Sequence, residues 1–352
     1  MRDIFCLHGT YGPDSSPYGC TFVRLLQPLS HPSLAGRVRL RHGPVLPPDA
    51  DGTVVVERAW HEGTTVAEVE ALLGELARRG LPLVHTFDDD LLDLNGDEPW
   101  KPDPAPEMRR VVRLLAREAR GLVVSTPRLR DRMARINPRI EVVPNALDER
   151  LFFPGGAFPS PRPPGEATVT VGYMGTLTHE ADLLSVLAPL RAALRARPGR
   201  VRFELVGGSA RPGLDRLFSG LPFRRLSPGG DHPYPRFVAW MRRTLAWDVV
   251  IAPLVPSSFA LAKSDLKYLD YSALGAAGVY SAVLPYTGTV REGETGLLAT
   301  TEEEFGEALE SLLSDAEKRE RIASAATADV LAHRTLSTRA TDWADALDRI
   351  NA

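Results

Sequence analysis

The sequence predicts an α/β protein of two Rossmann-like domains, each a doubly wound parallel sheet, facing one another across a cleft. Three observations predict it. Short runs rich in β-formers alternate with longer helical patterns, and that alternation puts helices on both faces of parallel sheets. The alternation runs twice, and FPGGAFPSPRPPGEA, residues 153–167, separates the two runs with too much Pro and Gly to pack as an element. The length, 352 residues, suits two cores better than one.

In the first half, residues 4–8, 38–41, 53–57, 83–87, 121–125 and 140–143 are β-rich runs of strand length. Between them, 64–79 carries Val66, Val69, Leu72, Leu73 and Leu76 at helical spacing, and 20–29 and 106–120 also read as helices. The second half repeats the scheme, with strands expected at 168–173, 201–206, 248–252 and 279–283 and helices at 181–196, 235–245 and 265–274. After Thr300 the pattern is helical: 302–313, 315–333 and 336–350. The expected division is a first domain over 1–160, a second over 161–335 and a terminal helix over 336–352. Open α/β sheets bind ligands beyond the carboxyl ends of their strands, so site residues are expected on the loops that follow strands in both halves.

A hydrophobic content of 43% and a charged content of 25% are those of a soluble globular protein. The formal charge of −3 argues against a nucleic-acid partner. The Arg-rich run 109–120 alternates with Val, Leu and Ala and reads as a helix with a solvated face, with a membrane-surface or acceptor-binding patch as the alternative. MRDIFCLHG leads straight into a strand and no apolar stretch is long enough to span a bilayer. A cytoplasmic protein is therefore expected, with no transmembrane segment and with peripheral membrane contact left open. Cys6 and Cys20 have neither zinc spacing nor a disulfide framework, so both are expected as free thiols.

Lysine usage singles out one segment. Lys and Arg number 42, yet Lys101, Lys263, Lys267 and Lys318 are the only lysines, and two of them share LAKSDLKYLDYSALG, residues 261–275. Ser264 reads there as an N-cap and Asp265 as a first-turn acid. Lys263, Lys267 and Asp270 stand at offsets 0, 4 and 7, on one face. A helix N-terminus flanked by two ammoniums is a phosphate site by electrostatics, and a carboxylate two turns in can accept from ribose hydroxyls. Surface pairing of Lys with Asp fits the same spacing. Upstream, VGYMGTLTHEADLL, 171–184, runs from a strand into Gly175 and Thr176, with Thr178 and His179 following. Gly175 lets a ligand approach the backbone, the threonines offer hydroxyls, and Gly207 in FELVGGSA makes a second Gly turn after a strand.

In the first half, the loop 9–20 follows the opening strand with Gly9, Thr10, Tyr18 and Gly19, small and polar enough to admit a substrate. It lacks the G-x-G-x-x-G spacing of dinucleotide folds, and the chain holds no G-x-S-x-G elbow for a hydrolase. HTFDDDLLDLNGDE, 85–98, crowds six acidic residues into eleven positions. Asp88, Asp89 and Asp90 end a strand and are expected to point into the cleft, where their repulsion must be relieved by a cation, a cationic ligand, hydrogen-bond donors or a raised pKa. If the lysines neutralise the phosphates, no metal is required, and these acids are free to bind hydroxyls or act as a base.

Taken in order, these pieces resemble the two-domain GT-B glycosyltransferases of the retaining group 1 type, and within them a bacterial subset whose strand ends in Asp-Asp-Asp. STPRLRDRM…INPRIEVVPNALDERLF resembles the segment that closes the first domain. WDVVIAPL…KYLDYSALGAAGVYSAV…REGETGLL resembles the nucleotide-binding half, and RTLSTRATDWADAL the last helix, which in that family crosses back to the first domain. The sequence departs from the family at Ala262, where a first glutamate is usual, and at Thr176, where an Arg is usual; Asp270 takes the place of the ribose glutamate and Phe87-Asp88 that of a His-Asp pair. The resemblance implies a retaining transfer of a hexosyl or deoxyhexosyl group from a nucleoside diphosphate sugar to a hydroxyl of a natural product, lipid-linked saccharide or cell-surface glycan. The expected catalytic residues are Asp88, Asp89, Lys263 and Lys267. Gly9, Thr10, Tyr18, Gly19, Gly175, Thr176, His179, Gly207, Ser264 and Asp270 are expected to bind substrate or nucleotide, with no metal and no cofactor beyond the nucleotide-sugar substrate. A nucleotide-sugar epimerase of the same fold and a catalytically silent nucleotide-sugar binder are the alternatives.

Overall fold

The structure, a computed structural model, describes residues 1–12, 14–93, 106–156, 168–176, 179–208, 213–230 and 233–352. Residues 157–167 of the linker, 94–98 of the acidic run, Lys101 and Thr178 lie outside the described residues. The first half contributes β1 (Arg2–Leu7), β2 (Thr10–Tyr11), β3 (Ser16–Pro17), β4 (Val38–Gly43), β5 (Thr53–Glu57), β6 (Leu83–Phe87), β7 (Gly121–Val124) and β8 (Ile140–Val142). The second contributes β9 (Val169–Gly175), β10 (Val201–Gly207), β11 (Phe223–Leu226), β12 (Val249–Ala252), β13 (Ala277–Ser281) and β14 (Leu297–Ala299).

Two six-stranded sheets result, in the orders β4-β1-β5-β6-β7-β8 and β11-β10-β9-β12-β13-β14, while β2 and β3 form a small antiparallel hairpin. Every pairing within the two large sheets is parallel. Such strands are covered on both faces, which is why β5, TVVVE, is buried at every position and shows no polar alternation. Strand order reverses between β1 and β5 in one sheet and between β9 and β12 in the other. Those reversals open the crevices in which doubly wound sheets take ligands.

Local signals fix the helices. Helix Val66–Arg79 begins on a capping box between Thr65 and Glu68 and ends at Gly80, whose φ of 65° is the left-handed conformation that glycine adopts without steric cost. The segments Gly19–Thr21, Phe22–Leu26 and Gln27–Leu29 run on as one helix with a π-helical middle. Pro28 has no N–H for the carbonyl of Arg24, and the wider turn accommodates it. The helix expected over 181–196 is two, Glu180–Leu184 and Leu187–Ala196. Pro189 accounts for the break, since its ring opposes a continuous turn back to Ser185. Two edge strands, β11 and β14, were not expected from the sequence.

The terminal helix Leu336–Asn351 packs on the first sheet. Trp343, Leu347 and Ile350 are buried with Ile4, Leu25 and Val123, and each such side chain stabilises the contact by about 1.5–3 kcal/mol. Where the chain crosses back, Leu147 N donates to Arg334 O at 2.7 Å and Leu336 N donates to Leu147 O at 2.9 Å. Both crossings between the halves thus meet at one place. At Gly172 in β9 a Cβ would fall 1.9 Å from the Trp247 ring, so only glycine lets the indole cover the strand. Among the described residues, no helix is long and apolar enough to cross a membrane.

Candidate functional site

The cleft contains a cavity of about 340 Å³ lined from both halves. The second half supplies Gly175 and Thr176 beyond β9, His179, and Lys263, Ser264, Lys267 and Asp270 around the start of helix Leu266–Ala273; the first half supplies Asp88 and Asp89 beyond β6. The cavity sits at the strand reversal of the second sheet, because Gly175 ends β9 and Leu254 follows β12.

Lys263 precedes the helix, with its Nζ 3.4 Å from Asp89 Oδ1 and 4.5 Å over the Phe259 ring. Lys267 lies on the first helical turn, its Nζ 6.0 Å over the Tyr173 ring. Burial first, and then the like charge of Lys263, pull the pKa of Lys267 down to about 8. Asp270 is buried and its carboxyl is pushed up to about 7 by burial, with Lys267 opposing the rise. Among the described residues, Asp270 Oδ1 has no hydrogen-bond partner. A cationic turn next to a carboxyl with an unmet acceptor suits a ligand that is anionic at one end and hydroxylated at the other.

Ser264 does not cap the helix. Asp265 occupies the N-cap position with no side-chain cap bond. The Asp265 carboxylate is drawn instead to Arg334, which donates at 2.6 and 2.9 Å, and to the Thr289 hydroxyl at 2.8 Å. Ser264 Oγ accepts from Asn145 Nδ2 at 2.8 Å. The outcome favours an anion, because no carboxylate of the first turn competes for the helix N-terminus.

The acidic run is relieved by the protein's own cations. Arg58 donates to Asp88 at 2.8 Å and to Asp89 at 3.4 Å. Burial would raise the pKa of Asp89, but Lys263 and Arg58 outweigh it and hold the carboxyl well below the usual range. Asp90 turns away from the cleft and accepts from Arg132 at 2.9 Å, and Asp93 pairs with the same guanidinium at 3.1 Å. Among the described residues, no three His, Cys, Asp or Glu side chains gather as a metal site.

His179 donates Nδ1–H to Asp182 at 2.6 Å, and Asp182 also accepts from Val255 N at 2.8 Å. Burial and then Lys267 pull the imidazole down to about 4 against the pull of Asp182, so it is neutral at pH 7 and its Nε2 is an acceptor.

Residues 187–345 match a family described as glycosyl transferase-like. Over 234 residues the chain is 28% identical to the D-inositol 3-phosphate glycosyltransferase of Stackebrandtia nassauensis, covering 60% of this chain and 50% of the relative. The chain thus spans about half the length of that curated relative. Among solved structures, sucrose-phosphate synthase of Thermosynechococcus elongatus superposes with a TM-score of 0.62 at 14% identity, over 100% of this chain and 99% of the other. Anabaena HepE in complex with UDP-glucose superposes with a TM-score of 0.64 at 15% identity, over 99% of each chain. The fold is GT-B.

Within this GT-B fold the expected site residues separate into two groups. Asp88, Asp89, Gly175, Thr176, His179, Lys263, Ser264, Lys267 and Asp270 share the cavity. Gly9, Thr10, Tyr18 and Gly19 lie outside its lining, on the loop beyond β1 at the strand reversal of the first sheet. There Tyr18 stacks on Tyr11 at 5.1 Å, and a Cβ on Gly9 would fall 2.7 Å from the Trp60 carbonyl. Gly207 is also outside the lining, although its neighbour Val206 is within it. With a φ of +67°, Gly207 lets the chain pass so close to Gly175 that a Cβ would meet the Gly175 carbonyl at 2.2 Å.

Arg58, Tyr234 and Phe237 are among the residues of this cleft that were not anticipated. Arg58 holds the two aspartates from a left-handed position, φ 51°, that no local sequence signal announces. Tyr234 and Phe237 of helix Tyr234–Thr244 line the cavity beside Asp270. The apolar period of that helix marks the face it buries, not the residues at its mouth.

Proposed function

We propose that the protein is a glycosyltransferase that moves a hexosyl or deoxyhexosyl group from a nucleoside diphosphate sugar to a hydroxyl of an acceptor. The observation that carries this reading is the meeting of Lys263, Lys267 and a helix N-terminus in one interdomain cavity with Asp88 and Asp89 opposite. The UDP-glucose held by HepE, a protein of the same fold, supports a nucleotide-sugar donor. Lys263, Ser264, Lys267 and Thr176 bind the diphosphate, with Gly175 allowing its close approach. Asp270 accepts from the ribose hydroxyls.

Departure of the diphosphate develops negative charge on its terminal oxygens. The two ammoniums and the helix N–H groups are already in place for that charge, and preorganisation of this kind is the main catalytic contribution. The lysines supply the neutralisation that a divalent metal would otherwise give. Asp88 and Asp89 face the acceptor and orient its hydroxyl, which approaches from the loop bearing Gly9, Thr10, Tyr18 and Gly19. Retention of anomeric configuration follows the resemblance to the group 1 enzymes.

The test incubates the chain with UDP-, dTDP- and GDP-sugars, with and without a panel of hydroxylated acceptors, and follows release of the nucleoside diphosphate and the anomeric proton of the product. Acceptor-dependent release with an unchanged anomeric configuration is expected. Conversion of the sugar without acceptor identifies an epimerase, and binding with neither transfer nor hydrolysis identifies a silent binder. Either result overturns the proposal.

A further inference from the structure

We propose that Asn145 is a positioning residue that aims the hydroxyl of Ser264 at the bound diphosphate, an inference that rests on the donor site proposed above. The polarity of every group in the chain leading to Ser264 is fixed. Arg24 is buried in the π-helical turn of the first half, 5.2 Å over the Trp343 ring. Burial lowers its pKa to about 10, with Asp88 and Glu57 pushing it back up, so the guanidinium is charged at neutral pH. It donates Nη1–H to Val143 O at 2.6 Å and to Asn145 Oδ1 at 2.9 Å.

A guanidinium has donors and no acceptor, so the amide oxygen of Asn145 must face Arg24 and the amide nitrogen must face the other way. That nitrogen reaches Ser264 Oγ at 2.8 Å. A hydroxyl that accepts from an amide still has its single proton to give. Among the described residues no acceptor takes that proton, and Ser264 lines the cavity between Lys263 and Lys267. The hydroxyl is thereby left as a donor for an anion.

The turn is held in place as well as polarised. The backbone carbonyl of Asn145 accepts from Arg334 Nη2 at 2.9 Å, and the same guanidinium grips Asp265 through two bonds. Ser264 and Asp265 are thus tied to the two chain crossings between the halves. Geometry set at that crossing is passed to the phosphate-binding turn.

The test is a double-mutant cycle read by calorimetry on the full chain, using whichever of UDP, dTDP and GDP binds the native protein most tightly. In the native background, Ser264→Ala weakens binding about ten-fold, as expected for losing a hydrogen bond to a charged group. In Asn145→Asp the serine hydroxyl turns to donate to the new carboxylate, so adding Ser264→Ala changes Kd by less than about two-fold. The direct effect of the added charge is present on both legs of the cycle and cancels. Should Asn145→Asp fail to fold, Asn145→Ala serves: the freed hydroxyl rotates, and the Ser264→Ala loss shrinks to about three-fold. An undiminished ten-fold loss in either background overturns the role of Asn145 while leaving the diphosphate site standing. Failure of all three nucleotides to bind the native chain removes the donor site itself.

Discussion

Replacing Lys263 and Lys267 together by alanine should weaken nucleoside diphosphate binding by roughly 30- to 1,000-fold, or about 2–4 kcal/mol. Two hydrogen bonds from ammoniums to a phosphate are each worth about 1.5–3 kcal/mol, which sums to about 3–6. Two features of the site reduce that sum. Lys263 is already engaged with Asp89 at 3.4 Å and must exchange one anion for another. The two lysines also repel, a contribution second to burial in lowering the pKa of Lys267, so removing one eases the other and the losses are not additive. Calorimetric titration with UDP, dTDP and GDP at pH 7 measures the difference. Thermal unfolding checks that the double variant is folded, since without Lys263 the Asp89 carboxylate keeps Arg58 as its cation. A double variant that binds each nucleotide within about three-fold of the native chain would refute the reasoning.

Nucleotide affinity should fall above pH 8 as Lys267 loses its proton at about 8. Lys267→Arg should carry that affinity to higher pH, since a guanidinium stays charged; a native profile flat to pH 10 contradicts the assignment. Asp88→Asn should slow turnover more than it weakens nucleotide binding, and steady-state kinetics with an unchanged kcat would take Asp88 off the catalytic list. Gly172→Ala should cost about 3 kcal/mol of stability, as overpacking against Trp247; a denaturant midpoint equal to that of the native protein would contradict this.

The doubly wound architecture was legible because its signal is long. Runs such as TVVVE and GLVV keep their apolar character over a whole strand, and the intervening helices hold their period. The edge strands β11 and β14 escaped notice for the opposite reason. One reads FRRL and the other spans three residues, and each is a strand because an established neighbour offers it hydrogen bonds. The lysine pair was legible through rarity of the residue type together with helical spacing. Its surroundings were not.

Ser264 looks like an N-cap in isolation, but Asn145, 119 positions away in sequence, claims its oxygen. Asp265 looks like a dipole partner, but Arg334 claims it. Both competitors come from the chain crossing between the halves, which no local window contains. Arg58 was hidden in the same way: its value lies in reaching Asp88 and Asp89 from the next strand over, a relation that exists only once β5 and β6 are paired.

The most direct test is a crystal structure of the chain with the nucleoside diphosphate it binds best. The account predicts the diphosphate in the interdomain cavity, with the Nζ atoms of Lys263 and Lys267 within about 3 Å of its oxygens. A nucleotide seated elsewhere, or one in this cavity with both ammoniums turned away from its phosphates, would contradict it.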